Sequence, residues 1–217
     1  MKVRFTLIGE TPLLMHWDNI EGSEIVKAWQ KDPANKNRSV AGDDRSPPWT
    51  WQTYLYNDGE RATMPLENVM GSLLYGGTQV IFKKNKTYKE LSQSGLWSPT
   101  EHLEFTYGDD QTLDMADVLA MRDDDFAVQV KKCHDLGFRL FAKRARVGQA
   151  KHVRVRPRFE QWRVSGEMTV ISPDLTFEVI EMIFKFAGRG GLGDWRPSSP
   201  RRPGVFGMFR SELKLVK

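Results

Sequence analysis

Val3, Phe5 and Leu7 alternate with Lys2, Arg4 and Thr6, the period of a strand with one face buried, so a strand is expected over residues 2–8. Gly9 to Pro12 ends it. A short helix is expected over Ser23 to Gln30, followed by a polar Asn-, Asp-, Ser- and Pro-rich loop over 31–48. From Trp49 to Tyr56 aromatic and polar positions alternate, and Asn57-Asp58-Gly59 is a turn signal before Arg61 to Met64. That spacing predicts a hairpin. Trp49 and Trp51 then share one side of a strand, as a stacking platform or as core or interface residues. Pro65 opens a helix over roughly Leu66 to Tyr75, which Gly76-Gly77 closes. Residues 78–95 are basic and show no clear period. A strand is expected around His102 to Phe105, a short helix over Leu113 to Met121, and a strand over Phe126 to Val130.

The clearest alternation in the chain runs from Glu160 to Ile171. It puts Trp162, Val164, Met168 and Val170 on one face and Arg163, Ser165, Glu167 and Thr169 on the other. Ser172-Pro173 reads as an N-cap with proline at the first helical position. Leu175, Val179, Met182, Ile183 and Phe186 then keep helical spacing up to Ala187, with Gly188 expected just past the end. A final strand is expected over about Val205 to Val216. Strand 2–8, helix 66–75, strand 102–105, strand 160–171, helix 173–187 and strand 205–216 form a β-α-β-β-α-β series, an α+β class. Residues 10–64 and 106–158 become two large insertions, so 1–217 reads as one domain.

Charge changes the picture more than overall composition does. The net charge is only +4, yet residues 131–163 hold eleven Lys or Arg against Asp135 and Glu160. Residues 185–217 hold eight against Asp194 and Glu212, and the rest of the chain is acidic. The core of the first segment carries Lys143, Arg144, Arg146, Lys151, Arg154, Arg156 and Arg158 with no acid among them. Clustered cations raise the local potential and favour a polyanion. Arginine predominates, and a guanidinium grips phosphate bidentately and stacks on bases. Cys133 is the one cysteine, which excludes an internal disulfide and a cysteine-rich zinc module. No apolar run approaches a membrane span, and the N-terminal apolar stretch is too short for a signal peptide. A soluble cytoplasmic protein without membrane contact is expected.

Gly188-Arg189-Gly190-Gly191-Leu192-Gly193 matches G-x-G-x-x-G, but a dinucleotide loop needs a strand before it and a helix after it. The order here is the reverse, and no cofactor is expected. Glycines do allow close backbone approach by a phosphate. Arg189, Trp195, Arg196, Arg201 and Arg202 surround that backbone, a mixture suited to a single strand whose bases stack while its phosphates are neutralised. The bland alternative is a helix cap and an irregular loop with Trp195 in the core.

The helix followed by Gly190-Gly191-Leu192-Gly193, a spacer, Gly204-Val205-Phe206-Gly207 and a terminal strand resembles the glycine-rich signature of the RAMP superfamily, the RNA-binding superfamily of CRISPR systems. Met64-Pro65-Leu66-Glu67-Asn68-Val69-Met70-Gly71-Ser72-Leu73-Leu74 is similar to the proline-led first helix of its backbone subunits, and Gly9-Glu10-Thr11-Pro12-Leu13 to their turn after the first strand. The TPLLMH start and the GLGDWRP ending also resemble phage-encoded proteins. The resemblance implies a ferredoxin-like (RRM-like) fold, with the basic 131–158 stretch as the candidate thumb. It implies single-stranded RNA as partner, self-association along the strand, and contact with other effector subunits.

Catalysis has two weak candidates. His16 lies early in the chain, where RAMP-type endoribonucleases often place a general acid or base. Asp124, within Asp123-Asp124-Asp125, is a possible Mg²⁺ ligand, although adjacent carboxylates diverge. The expectation is therefore a non-enzymatic subunit that binds single-stranded nucleic acid. Its competitors are an endoribonuclease of the same superfamily and a phage accessory protein that coats single-stranded DNA.

Overall fold

A computed structural model describes residues 1–147, 150–200 and 202–216. In chain order the elements are β1 (Lys2–Gly9), β2 (Leu13–Leu14), α1 (Ile20–Lys31), β3 (Thr63–Pro65), α2 (Leu66–Thr78), β4 (Ile81–Lys83), β5 (Lys86–Thr87), α3 (Lys89–Ser94), β6 (Leu96–Trp97) and β7 (His102–Tyr107). Then follow α4 (Met115–Leu119), α5 (Phe126–Asp135), β8 (Arg139–Val147), β9 (Ala150–Phe159), β10 (Trp162–Val170), α6 (Phe177–Gly190) and β11 (Phe209–Val216). The class is α+β, with antiparallel sheets. The chain forms two compact units. The first comprises Met1–Leu14, Thr63–Thr112 and Glu160–Lys217; the second comprises Met15–Ala62 and Leu113–Phe159.

The first unit is built on a sheet of order β11-β1-β10-β7-β3, with β6 also paired to β10. Alternation sorts its side chains. Val3, Phe5 and Leu7 of β1, Val164 and Met168 of β10, and Leu103 and Phe105 of β7 are buried. Phe5 meets Phe184 of α6 with ring centroids 5.5 Å apart, so this face carries the core. Burying one such ring contributes about 1.5–3 kcal/mol. The opposite face carries Lys2, Arg4 and Thr6 opposite Thr169, Glu167 and Ser165. Arg4 Nη2 donates to Glu167 there.

Helix α2 runs through Gly76 and Gly77 to Thr78 instead of stopping at them. The reason is packing: a Cβ on Gly76 would fall on the carbonyl oxygen of Ile183 in α6, so glycine permits the two helices to meet backbone to backbone. Helix α6 likewise begins and ends later than its sequence suggests. Thr176, not Ser172, is its N-cap, accepting from the Val179 N–H at 3.4 Å. It continues past Gly188 to Gly190, with Gly191 as cap at φ 77°. The last strand starts at Phe209, not Val205.

The second unit departs furthest from the sequence pattern. The expected 49–64 hairpin is absent as such: Thr50–Tyr54 is a 3₁₀ turn, and only Asn57 and Ala62 bridge. Thr50, Trp51 and Gln52 are all buried in succession, because the polar pair finds backbone partners. Thr50 Oγ1 donates to the Pro47 carbonyl and Gln52 Nε2 to the Val118 carbonyl. Trp49 and Trp51 are therefore core residues, not a platform. Residues 126–130 form the start of helix α5, not a strand. Its buried positions are Gln129 and Cys133, one helical turn apart. Trp51 Nε1 donates to Gln129 Oε1 at 2.6 Å, and the Trp51, Phe138 and Phe159 rings follow one another at 5.8 and 5.2 Å.

Burial pushes the Cys133 thiol up to about 12. Thiol reagents are expected to modify it at neutral pH only as the unit unfolds. A denaturant series with a colorimetric disulfide reagent checks this: labelling should track the unfolding transition, not precede it.

Candidate nucleic-acid interface

The basic segment folds as a ribbon of two paired strands, and Asp43 bridges Val153 on the other edge of the second of them. Strands β8 and β9 pair antiparallel from Arg139↔Arg158 to Val147↔Ala150. At about 3.3 Å per residue the ribbon is roughly 30 Å long. Its Arg-Val-Arg-Pro-Arg pattern places alternate arginines on one face, and the structure divides them into a root and an outer part.

The root is tied to Asp44. This carboxylate is 5% exposed and accepts from Arg154 Nη1 at 2.9 Å and from Arg156 Nη1 and the Val155 N–H at 3.0 Å each. The Arg156 guanidinium also lies over the Tyr54 ring, 4.5 Å from its centroid. Burial, together with the Asp44 charge, raises the Tyr54 phenol above its ordinary range. Arg158 lies over Phe141 at 5.6 Å. Arg154 and Arg156 thus neutralise a buried acid and anchor the ribbon. Arg156 is buried against that acid, whereas the Arg154 side chain is 30% exposed and the single carboxylate balances only one of the two charges.

Further along, Lys143, Arg144 and Arg146 are exposed. Register puts Lys143 beside Arg154 on one face and Arg144 and Arg146 on the other, opposite Val153 and Lys151. The side chain of Lys151 and residues 148–149 lie outside the described part. A strand of nucleic acid would thus meet cations on either side of the ribbon.

The glycine-rich loop of the first unit closes on itself. Its backbone does make close approaches, but to its own chain. Leu192 N–H donates to Gly207 O at 2.9 Å, Asp194 N–H to Leu14 O at 2.9 Å, and Gly191 N–H to Ala187 O at 2.9 Å. Those three donors are used in closing the loop. Arg196 is turned inward too, with Nη1 on Gly193 O at 2.8 Å and Nε on Ser198 Oγ at 3.0 Å. Trp195 is half-buried at φ 49°. Arg189 is exposed and lies 5.3 Å over Phe186; Arg202 is exposed; Arg201 lies outside the described residues. The basic ribbon belongs to one unit and the glycine-rich loop to the other.

Neither catalytic candidate gains a site. His16 is an exposed ring set edge-on to Tyr54 at 4.8 Å, and its carbonyl accepts from the Tyr56 hydroxyl at 3.3 Å. Asp124 Oδ2 accepts from Lys132 Nζ at 2.7 Å. Among the described residues no three His, Cys, Asp or Glu side chains are grouped to hold a metal ion. Among them, too, no helix is long and apolar enough to cross a membrane.

Two features were missed in the sequence. The patternless stretch 78–95 contains the β4–β5 hairpin, with exposed Lys83, Lys84 and Lys86 at its tip, and its lysines were the available signal. The other is an open groove of about 430 Å³ on the polar face of the first unit's sheet, beside Trp97, His102 and Glu104. Trp97 is 54% exposed and sits in an otherwise unremarked Leu-Trp-Ser-Pro stretch. Comparison with known proteins adds no assignment: no family model matches the chain, and no curated protein shows significant similarity to it.

Proposed function

We propose that this protein binds single-stranded nucleic acid, with RNA as the natural ligand, as a non-enzymatic RAMP-type subunit of a ribonucleoprotein. The observation that carries this reading is the β8–β9 ribbon. Beyond the Asp44 clamp it exposes Lys143, Arg144 and Arg146 on both faces. A two-stranded ribbon with cations on either side suits a flexible strand that wraps it, since phosphates are neutralised without base readout. The fold proposal belongs to the same reading. Taken with α2 and α6, the order β11-β1-β10-β7 is the one a ferredoxin-like β-α-β-β-α-β domain would have, with the second unit assembled from its two insertions. Stacking of several copies along a long strand, and contact with other subunits, complete it.

The test is the salt dependence of binding to an unstructured RNA, followed by anisotropy. Lys143→Ala with Arg144→Ala and Arg146→Ala is expected to reduce the slope of log K against log salt by about 2, since each phosphate contact on a single strand contributes roughly 0.7. These side chains are exposed, so the circular dichroism and melting of the triple variant should match those of the parent. A folded triple variant with an unchanged slope would remove the ribbon from the interface.

A further inference from the structure

The groove beside Trp97 exists because one stretch of β10 lacks a neighbour. Strand β7 leaves β10 at Glu104↔Ser165, and β6 joins it at Trp97↔Thr169. Between these points Gly166, Glu167 and Met168 have β1 as their strand partner on one side and the groove on the other. The floor reaches Leu103 and Met168, both buried and apolar, while a Cβ on Gly166 would point the other way, into the core against Phe5 and Leu103. The rim is polar. Register places Lys2, Thr169 and Trp97 in one row across the open face, and Thr6, Ser165 and Glu104 in the next but one. His102 is oriented from behind by Thr63, with Nδ1 and Oγ1 3.1 Å apart.

A groove with polar walls, a large exposed aromatic and an ammonium in one row and a carboxylate two rows away has the chemistry of a nucleotide site. The volume of about 430 Å³ lies within the range of small-molecule pockets, about 300–1,000 Å³. We propose that the groove holds one base of a single strand, stacked on Trp97, with its exocyclic amino group donating to Glu104 and the adjoining phosphate near Lys2. The site rests on the nucleic-acid reading above and sharpens it: the ribbon neutralises backbone, and the groove selects bases that carry an amino group. Uracil lacks one, so adenine is favoured over uracil.

Hexaribonucleotides of adenine and of uracil, titrated into the full chain while tryptophan emission is followed, test this. The adenine hexamer is expected to quench emission and to bind about tenfold more tightly than the uracil hexamer. Trp97→Leu should abolish the quench and weaken adenine binding about tenfold, whereas Trp97→Phe should keep most of the affinity. Glu104→Gln should bring the two hexamers within about twofold of each other. The ribbon triple variant should retain the quench and the adenine preference. If Trp97→Leu binds the adenine hexamer as well as the parent does, while the ribbon variant still weakens long strands, the groove proposal fails and the wider reading stands. If no strand of any length binds the parent protein, both fall together.

Discussion

Replacing Asp44 by alanine is expected to destabilise the second unit by about 3–5 kcal/mol, the usual effect of removing one partner from a buried ion pair. The carboxylate satisfies two guanidinium groups and the Val155 N–H, and the Arg156 side chain is 6% exposed. Without Asp44 a buried cation and a buried amide lose their acceptor. Arg156→Ala should be nearly as costly, because it leaves a buried carboxylate short of a partner. Arg154→Ala should cost less, since that side chain is 30% exposed and water can replace part of what it supplies. Urea denaturation followed by far-UV circular dichroism checks the ranking, with the midpoint shifting and the slope unchanged. Equal stability of Asp44→Ala and the parent would show that the clamp does not anchor the ribbon. A loss of nucleic-acid affinity on mutating Arg154 or Arg156 would then be read as loosening of the ribbon, which is why the binding test uses Lys143, Arg144 and Arg146.

Gly207→Ala is expected to cost the first unit about 3 kcal/mol or more, for two reasons that can be separated. The residue sits at φ 73°, and a Cβ there would fall on the carbonyl oxygen of Leu192. That oxygen belongs to backbone, which cannot swing aside as a side-chain tip can. The same residue donates to Pro12 O at 2.8 Å and accepts from Leu192 N–H at 2.9 Å, so any shift breaks the closure of the glycine-rich loop. Gly108→Ala is the control. Its φ is also positive, 55°, but the nearest atom is the end of the Gln111 side chain at 3.9 Å, so only the backbone penalty of about 1 kcal/mol applies. Thermal melts of the two variants measure the difference. Equal losses would mean that the Leu192–Gly207 contact yields without cost.

Elements whose buried residues are apolar were legible in the sequence. Strand β1 keeps its two-residue period from Val3 to Leu7 and β10 keeps it apart from Gly166, while in helix α6 Val179 and Ile183 are buried as their spacing predicts but Met182 is exposed and Ile180 and Phe184 are buried instead. Helix α5 was read as a strand because one of its two fully buried positions is Gln129, whose amide meets Trp51 and the Asp124 carbonyl. A polar residue satisfied by partners distant in sequence erases the periodic signal. The same holds for Gln52, which bonds to Val118, while Thr50 is satisfied locally by Pro47; together they make a 3₁₀ turn look like an alternating strand. Glycine spacing showed where backbone comes close but not what it approaches, and at Gly76 the answer is a neighbouring helix. The positive segment 143–158 was visible as composition. Its division into a clamped root and an exposed outer part was not, because Asp44 lies about a hundred residues away and only register brings it to Val155.

The pairing of β1 with both β10 and β11 has a consequence for how the molecule is made. Strand β1 is synthesised well before both of its partners, so Lys2 must wait for Thr169 and then for Val216. The second unit has both of its segments once Phe159 has been added. At roughly 5–20 residues per second, β11 is finished about 3–11 s later. During that interval the Asp44 clamp can close and the ribbon can take shape, while strand β1 still exposes Val3, Phe5 and Leu7. Chaperones that recognise short apolar extended segments would find their target there, and a stalled or truncated chain would present β1 as an open sheet edge.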